Sequence, residues 1–275
     1  MLATWETPPT GTELSVRAWR SLRAAARQMP GPYIFAFALC LVALGLIVAV
    51  SQLPHGFAGL NPVLRSSLAA GFFLLFLLLL ILAVTTAAVA THRFILLQSR
   101  TSSLAPITTS YGLRFSVWVL AVLLIFVVLA AIAERVSSAV PALDKLVRVV
   151  EWIISIVLTA NISLIFPAVA TEVPEAGILS RIRTSLNLMR GHFWLFVRGA
   201  ILTTLPVILV MIVVAIFSAL LVWLLPSISG DWLLSQSNSV LYGFEALMEL
   251  AQFVIIIAQA AMVSWLYAWI RQQQA

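Results

Sequence analysis

Six long apolar segments, separated by short polar stretches, make up most of the chain. They cover about residues 32–53, 66–91, 114–134, 149–171, 197–225 and 240–270. Each is long enough to cross a bilayer as a helix, because a hydrocarbon core of about 30 Å needs roughly 20 residues. Residues 72–84 are apolar without interruption, which excludes the alternating pattern of a membrane barrel strand. The pattern predicts an all-α polytopic bundle of about six transmembrane helices.

The segment before these helices has amphipathic spacing. Between residues 13 and 29, apolar side chains recur at helical intervals on one face and arginines occupy the other. The apolar set is Leu14, Ala18, Leu22, Ala25 and Met29, and the basic set is Arg17, Arg20, Arg23 and Arg27. We expect a helix in the headgroup layer that contacts anionic lipid. The chain then divides into a cytoplasmic N-terminal segment, residues 1–31, and a six-helix transmembrane domain, residues 32–275.

A second basic stretch, residues 180–198, precedes the fifth apolar segment. It places Ile182, Leu186 and Met189 on one face and carries Arg183 and Arg190 elsewhere, as a second set of headgroup contacts. A Ser/Thr-rich joint also precedes the third segment. Three helical hairpins with similar lead-ins are one interpretation. The other is that every helix entering from the cytoplasm needs basic flanks.

The distribution of basic residues predicts the orientation. With six crossings, twelve basic residues share the side of the N terminus and four lie on the other side. The twelve are Arg17, Arg20, Arg23, Arg27, Arg93, Arg100, Arg114, Arg181, Arg183, Arg190, Arg198 and Arg271, and the four are Arg65, Arg135, Lys145 and Arg148. Since positively charged loops stay in the cytoplasm, we expect both termini on the cytoplasmic side of the membrane.

Composition narrows the class of function. Hydrophobic residues make up 62% of the chain and charged residues 9%, so one bundle leaves no room for a soluble catalytic domain. The net charge of +6 points to anionic lipid instead of nucleic acid, because the basic residues adjoin apolar segments. Cys40 is the only cysteine, which excludes an internal disulfide and a zinc finger. We expect no cofactor and no metal.

Three stretches carry a resemblance to known proteins: residues 15–29, residues 165–170 and residues 185–194. Through them the chain resembles a broad group of uncharacterised bacterial membrane proteins, similar to the membrane-anchoring portion fused to some glycerophosphodiester phosphodiesterases. The resemblance implies a six-helix fold and a cytoplasmic-membrane location. It implies no catalytic residue, because the phosphodiesterase domain does not occur in this sequence.

Five polar side chains interrupt the apolar segments and form a candidate intramembrane site: Asn161, Glu245, Glu249, Gln252 and Gln259. Glu245 and Glu249 share one helix face, where they would handle a proton or cation if they lie within the membrane. The preceding residues 235–239 favour a hydrated position at the outer surface instead. The amides suit hydrogen bonds between helices, with ligand coordination as the alternative.

Two histidines flank the predicted spans. His92, beside Arg93, and His192, before Phe193 and Trp194, are expected to reach toward headgroups at the cytoplasmic interface. No second His, Cys or carboxylate stands at ligand spacing. No phosphate-binding glycine loop, HExxH motif or GxSxG motif occurs in the sequence.

These patterns favour a non-enzymatic membrane protein that acts through helix and lipid contacts, as a scaffold, an assembly factor or a subunit of a membrane complex. A second copy or another protein is the expected partner beside lipid. The alternatives are a small transporter or lipid-handling protein and, third, a membrane-embedded enzyme. A transporter would need Asn161, Glu249, Gln252 and Gln259 to line one cavity, whereas a scaffold would scatter them.

Overall fold

The computed structural model describes the backbone of residues 7–56, 61–171, 177–224 and 232–274, and helix is its only regular secondary structure. Within it, the side chains of residues 47–56, 221–224 and 232–245, and of a few single positions, are not described. The helices are α1 Gly11–Gln28, α2 Pro30–Gly56, α3 Pro62–Leu97, α4 Ala105–Thr108, α5 Ser110–Ala139, α6 Asp144–Ser163, α7 Ile165–Ala170, α8 Ile178–Met189, α9 Phe193–Leu224 and α10 Trp232–Gln274, with a 3₁₀ turn at Pro141–Leu143.

The prediction of an all-α polytopic bundle is confirmed. Five segments of the described residues are long and apolar enough to cross a membrane: Ser66–Leu97, Ser110–Ala139, Pro141–Ala170, Phe193–Leu220 and Ala246–Gln274. The count rises to six if α1 and the start of α2, bent by 97° at Met29, form one span. The helix α2 itself has 27 residues, about 40 Å at 1.5 Å per residue.

The long helices form three hairpins, α2–α3, α5–α6 and α9–α10, and α3 and α10 pack against each other to join them. A shorter helix precedes each hairpin: α1 before α2, α4 before α5, and α8 before α9. The end of the bundle against which α1 packs is called the base, and the opposite end the far end. The arrangement matches the first interpretation of the three lead-in segments.

The first helix starts at a capping box. The backbone N–H and hydroxyl of Thr10 donate to the Glu13 carboxylate, at 2.8 and 3.1 Å, and the Thr10 hydroxyl accepts from the Glu13 N–H. Its apolar side chains Leu14, Ala18 and Ala25 are fully buried against the bundle. The amphipathic helix therefore forms where the sequence predicts it, but its apolar face contacts protein.

The core of the bundle lies at its base. In the most apolar stretch of α10, 61% of the residues are buried, whereas the corresponding figure is 11% for α5 and 6% for α9. The described part of α9 from Thr204 to Leu220 contains no buried residue. At the far end, the tip of the α5–α6 hairpin is joined by exposed ion pairs from Arg148 to Glu134, at 2.6 Å, and to Asp144, at 3.5 Å. Beyond the base, the described residues of α9 therefore have few neighbours from their own chain, whereas α5 keeps Ala133 and Ser137 buried near the hairpin tip.

Replacement of Gly11 by alanine should destabilise the bundle. A Cβ at this position would lie 3.0 Å from the Arg198 Cβ and 3.2 Å from the Gly199 nitrogen, so α1 or α9 must shift. Overpacking of this kind costs about 1–3 kcal/mol. We expect a lower apparent melting temperature for the purified protein in detergent.

The matched control is Gly45→Ala in α2, where an added Cβ meets no atom within 4 Å. Its melting temperature should stay the same or rise, because alanine favours helix over glycine by about 1 kcal/mol. Equal behaviour of the two variants would contradict the close α1–α9 crossing.

Candidate functional sites

A cavity of about 290 Å³ lies inside the bundle between α3, α5, α6, α9 and α10. Apolar side chains line most of it, and the polar contributions come from His92, Thr159, Ser163 and Gln259. His92 is 1% exposed, whereas Thr159 on the far side of the cavity is exposed. The cavity is thus closed at the base of the bundle and open away from it.

His92, which borders this cavity, is paired with Ser264. The His92 Nδ1 lies 2.7 Å from the Ser264 hydroxyl oxygen, and that hydroxyl donates to the Ala260 carbonyl at 2.9 Å. Because the serine proton is used on Ala260, the His92 Nδ1–H is the donor to Ser264. The neutral imidazole then carries its lone pair on Nε2. This pair links α3 to α10 across the core.

The prediction of a headgroup-facing His92 is wrong. The adjacent residue Arg93 suggested an interface, but Arg93 turns to α7, donates to the Ala170 carbonyl at 2.9 Å and lies 4.2 Å above the Tyr111 ring. A basic side chain on the last carbonyls of a helix is a favourable cap. The imidazole of His92, about 100° away around α3, faces the interior. Ser264 lies 172 positions away in the sequence, so no local pattern around His92 could predict this contact.

His192 lies in the turn between α8 and α9 and is half-buried. Its ring stands edge-on to Trp269, with 4.9 Å between the ring centroids. Burial lowers the pKa of His192 below its usual range. At neutral pH the side chain is therefore an uncharged packing group between this turn and the end of α10.

A second, polar pocket of about 670 Å³ lies between α6, α8 and the start of α9. Asn161, Arg183, Asn187 and Arg190 line it, together with Leu186, Met189, Gly191 and Phe193. The Ser185 hydroxyl donates to the Asn161 carbonyl at 2.5 Å and so fastens α8 to α6 beside this pocket. Three residues that the sequence assigned to two different sites, Asn161, Arg183 and Arg190, meet here.

The lead-in helix α8 packs differently from the prediction. Leu186 was expected on the apolar face with Ile182 and Met189, but it is 43% exposed. Ser185 and Leu188 are buried beside Met189 instead. The reason is the Ser185 hydrogen bond, which turns that side of α8 toward α6 and leaves Leu186 at the pocket.

A third, small cleft of about 70 Å³ lies between α2, α3 and α10, with Glu249, Gln252 and Cys40 among its lining residues. Gln259 lies elsewhere, at the first cavity, and its amide donates to the Thr204 hydroxyl at 3.1 Å, which joins α10 to α9. The side chain of Glu245 is outside the described residues. The four candidate residues whose side chains are described therefore lie in three pockets, of which the first and the third share Ile256 as a lining residue.

The arginines of α1 also divide into two kinds. Arg20, Arg23 and Arg27 are exposed at the base, while Arg17 is partly buried with its guanidinium 5.4 Å from the Trp265 ring centroid. Arg17 therefore holds α1 on α10 by a cation–π contact. Within the described residues, no three His, Cys, Asp or Glu side chains are placed to hold a metal ion.

No family model matches the chain, and neither a curated protein nor a solved structure is significantly similar to it. The resemblance to the membrane-anchoring portion of glycerophosphodiester phosphodiesterases stays a prediction. What is shown is the class of the protein, a membrane-embedded all-α bundle.

Replacement of Ser264 by alanine should destabilise the base of the bundle. It leaves the buried His92 N–H without its acceptor, and an unsatisfied buried polar group costs about 1–3 kcal/mol. The apparent melting temperature of the purified protein should fall. Ser138→Ala removes an exposed hydroxyl that donates to the Glu134 carbonyl within α5 and should change stability by less than about 0.5 kcal/mol. A melting temperature of Ser264→Ala as high as that of Ser138→Ala would disprove the role of the His92–Ser264 pair.

Proposed function

We propose that this protein is a non-enzymatic membrane protein that acts through helix and lipid contacts, as a scaffold or subunit of a membrane complex. Its proposed location is a bacterial inner membrane, with both termini in the cytoplasm. The observation that carries the proposal is the contrast in packing along α9, which has buried residues at the base and none from Thr204 to Leu220.

The exposed far halves offer contact surface to other transmembrane helices. Val213 and Phe217 of α9 are 65% and 62% exposed, and Val127 of α5 is 63% exposed. Lipid tails solvate such side chains without cost, so exposure alone does not require a partner. Within the described residues, however, the buried positions of this 32-residue helix lie between Phe196 and Thr203, so the stretch from Thr204 to Leu220 is available to a second protein.

The positions of the polar residues argue against a transporter for polar solutes. Such a protein collects its intramembrane polar groups around one pathway. Here Gln259 lines the first cavity, Asn161 the second pocket, and Glu249 with Gln252 the third cleft. This scattered arrangement is the one expected of a scaffold.

Lipid handling is the second candidate function, and the first cavity favours it. The cavity is lined almost wholly by apolar side chains, with His92 and Gln259 as hydrogen-bonding groups. An apolar cavity with a few polar groups suits an apolar or amphiphilic ligand. A bound lipid extracted with the purified protein, and lost when Ala88 is changed to tryptophan to fill the cavity, would favour this candidate.

A photoreactive amino acid in the far half of α9 tests the scaffold proposal. Placed at Val213 or Phe217, it should crosslink to another protein or a second copy in native membranes, because these positions face away from their own chain. Placed at Ile34, an exposed apolar position of α2 near the base, it should give lipid adducts only. Lipid adducts alone at all three positions would reject the proposal and move lipid handling to first place.

Reporter fusions test the proposed orientation. Twelve basic residues lie on the side of the termini and four on the other, so a fusion after Gln274 should be active only as a cytoplasmic reporter. A fusion after Leu143, between α5 and α6, should be active only as an external one. The same side for both fusions, or the reverse pattern, would show that the orientation is wrong.

A further inference from the structure

The polar pocket between α6, α8 and α9 contains an unusual excess of hydrogen-bond donors. Arg183 and Arg190 each bring a guanidinium, and Asn161 and Asn187 each bring an amide. Within the described residues, neither arginine has a carboxylate partner, since the ion pairs there are those of Arg148 at the far end. Two like charges at one pocket repel each other, and an anion between them relieves that repulsion.

The amides have donor capacity to spare. Asn161 uses one hydrogen of its amide nitrogen on the Val157 carbonyl, at 2.8 Å, and an amide nitrogen carries two. Asn187 is exposed at the pocket, in the turn of α8 between the two arginines. The second hydrogen of Asn161 and the amide of Asn187 are therefore available to a ligand.

The surrounding structure holds these groups in place. The Ser185 hydroxyl fixes α8 to α6, and Leu188 and Met189, buried on the same face of α8, anchor it in the core. Gly191 then turns the chain into α9 with φ of 82°, in the left-handed region that glycine adopts without strain. Asn161, Arg183 and Asn187 therefore stand on packed helices, and Arg190 lies at the C-cap of α8, between two such helices.

We propose that this pocket binds a phosphate group, held by the guanidiniums of Arg183 and Arg190 and the amides of Asn161 and Asn187. Guanidinium groups bind phosphate oxygens in bidentate fashion, and basic pockets between transmembrane helices accept lipid headgroups. The side chains of Leu186 and Phe193 border the same pocket and suit the apolar part of a phospholipid. The phosphate can belong to such a lipid or to a soluble phosphate. This inference goes beyond the scaffold proposal and is independent of it.

Binding to the full-length protein, purified in a neutral detergent, tests the site. Native mass spectrometry would titrate three probes: phosphatidylglycerol, inorganic phosphate, and diacylglycerol, which lacks the phosphate. The test variant is R183Q/R190Q. The matched control is R135Q/K145Q, which removes the same charge from exposed positions at the tip of the α5–α6 hairpin.

At least one phosphate-bearing probe should bind R183Q/R190Q about tenfold or more weakly than the wild type, since two charge-assisted contacts are lost. R135Q/K145Q should bind as the wild type does, and diacylglycerol should not distinguish the variants. Binding of phosphatidylglycerol without inorganic phosphate assigns the site to a lipid, and equal binding of inorganic phosphate assigns it to a soluble anion.

N187A provides a test without a change of charge. Loss of one neutral hydrogen bond should weaken binding of the same probe about 2- to 10-fold, with an unchanged melting temperature. The proposal is overturned if R183Q/R190Q binds as the wild type does, or if R135Q/K145Q loses as much affinity as R183Q/R190Q. The second result would show general attraction of anions to a basic surface.

Discussion

The close crossing of α1 over α9, at Gly11 and Gly199, is the contact on which the base of the bundle depends. The absence of a Cβ at Gly11 allows α1 to lie against the α9 backbone, so that Leu14 reaches Gly199 and Met262. The Trp19 indole then donates to the Thr203 carbonyl at 3.1 Å, and the Trp265 indole donates to Ser21 at 3.0 Å. One amphipathic helix thereby joins the third hairpin to the rest of the base.

The packing of α1 on α9 and α10 explains where the buried polar groups of the molecule lie. The base contains the buried polar pairs, His92 with Ser264 and Tyr33 with Thr91, the latter at 2.9 Å. Each pair joins two helices, so these groups stabilise the fold and are also the polar groups that a ligand could contact. Beyond the base the helices present mainly apolar side chains, where partner helices and lipid are the available contacts.

The helices could be predicted from the sequence because each depends on a local pattern. The six apolar segments and the helix between residues 13 and 29 appear close to their expected positions. Contacts between distant residues could not be predicted in this way. The inward turn of His92 depends on Ser264, and the exposure of Leu186 depends on the bond from Ser185 to Asn161, which no local pattern contains. The sequence identifies three candidate residues, Asn161, Arg183 and Arg190, and assigns them to two different sites. Their meeting in one pocket follows only from how α8 packs on α6.

The central claim is that this bundle works as one part of a larger membrane assembly. The most direct measurement is the mass of the intact particle after extraction of native membranes into polymer-bounded lipid discs, without detergent. The account predicts a particle that contains the 30.0 kDa chain together with a second copy or another membrane protein in constant ratio. A particle that contains a single chain and lipid alone would contradict it.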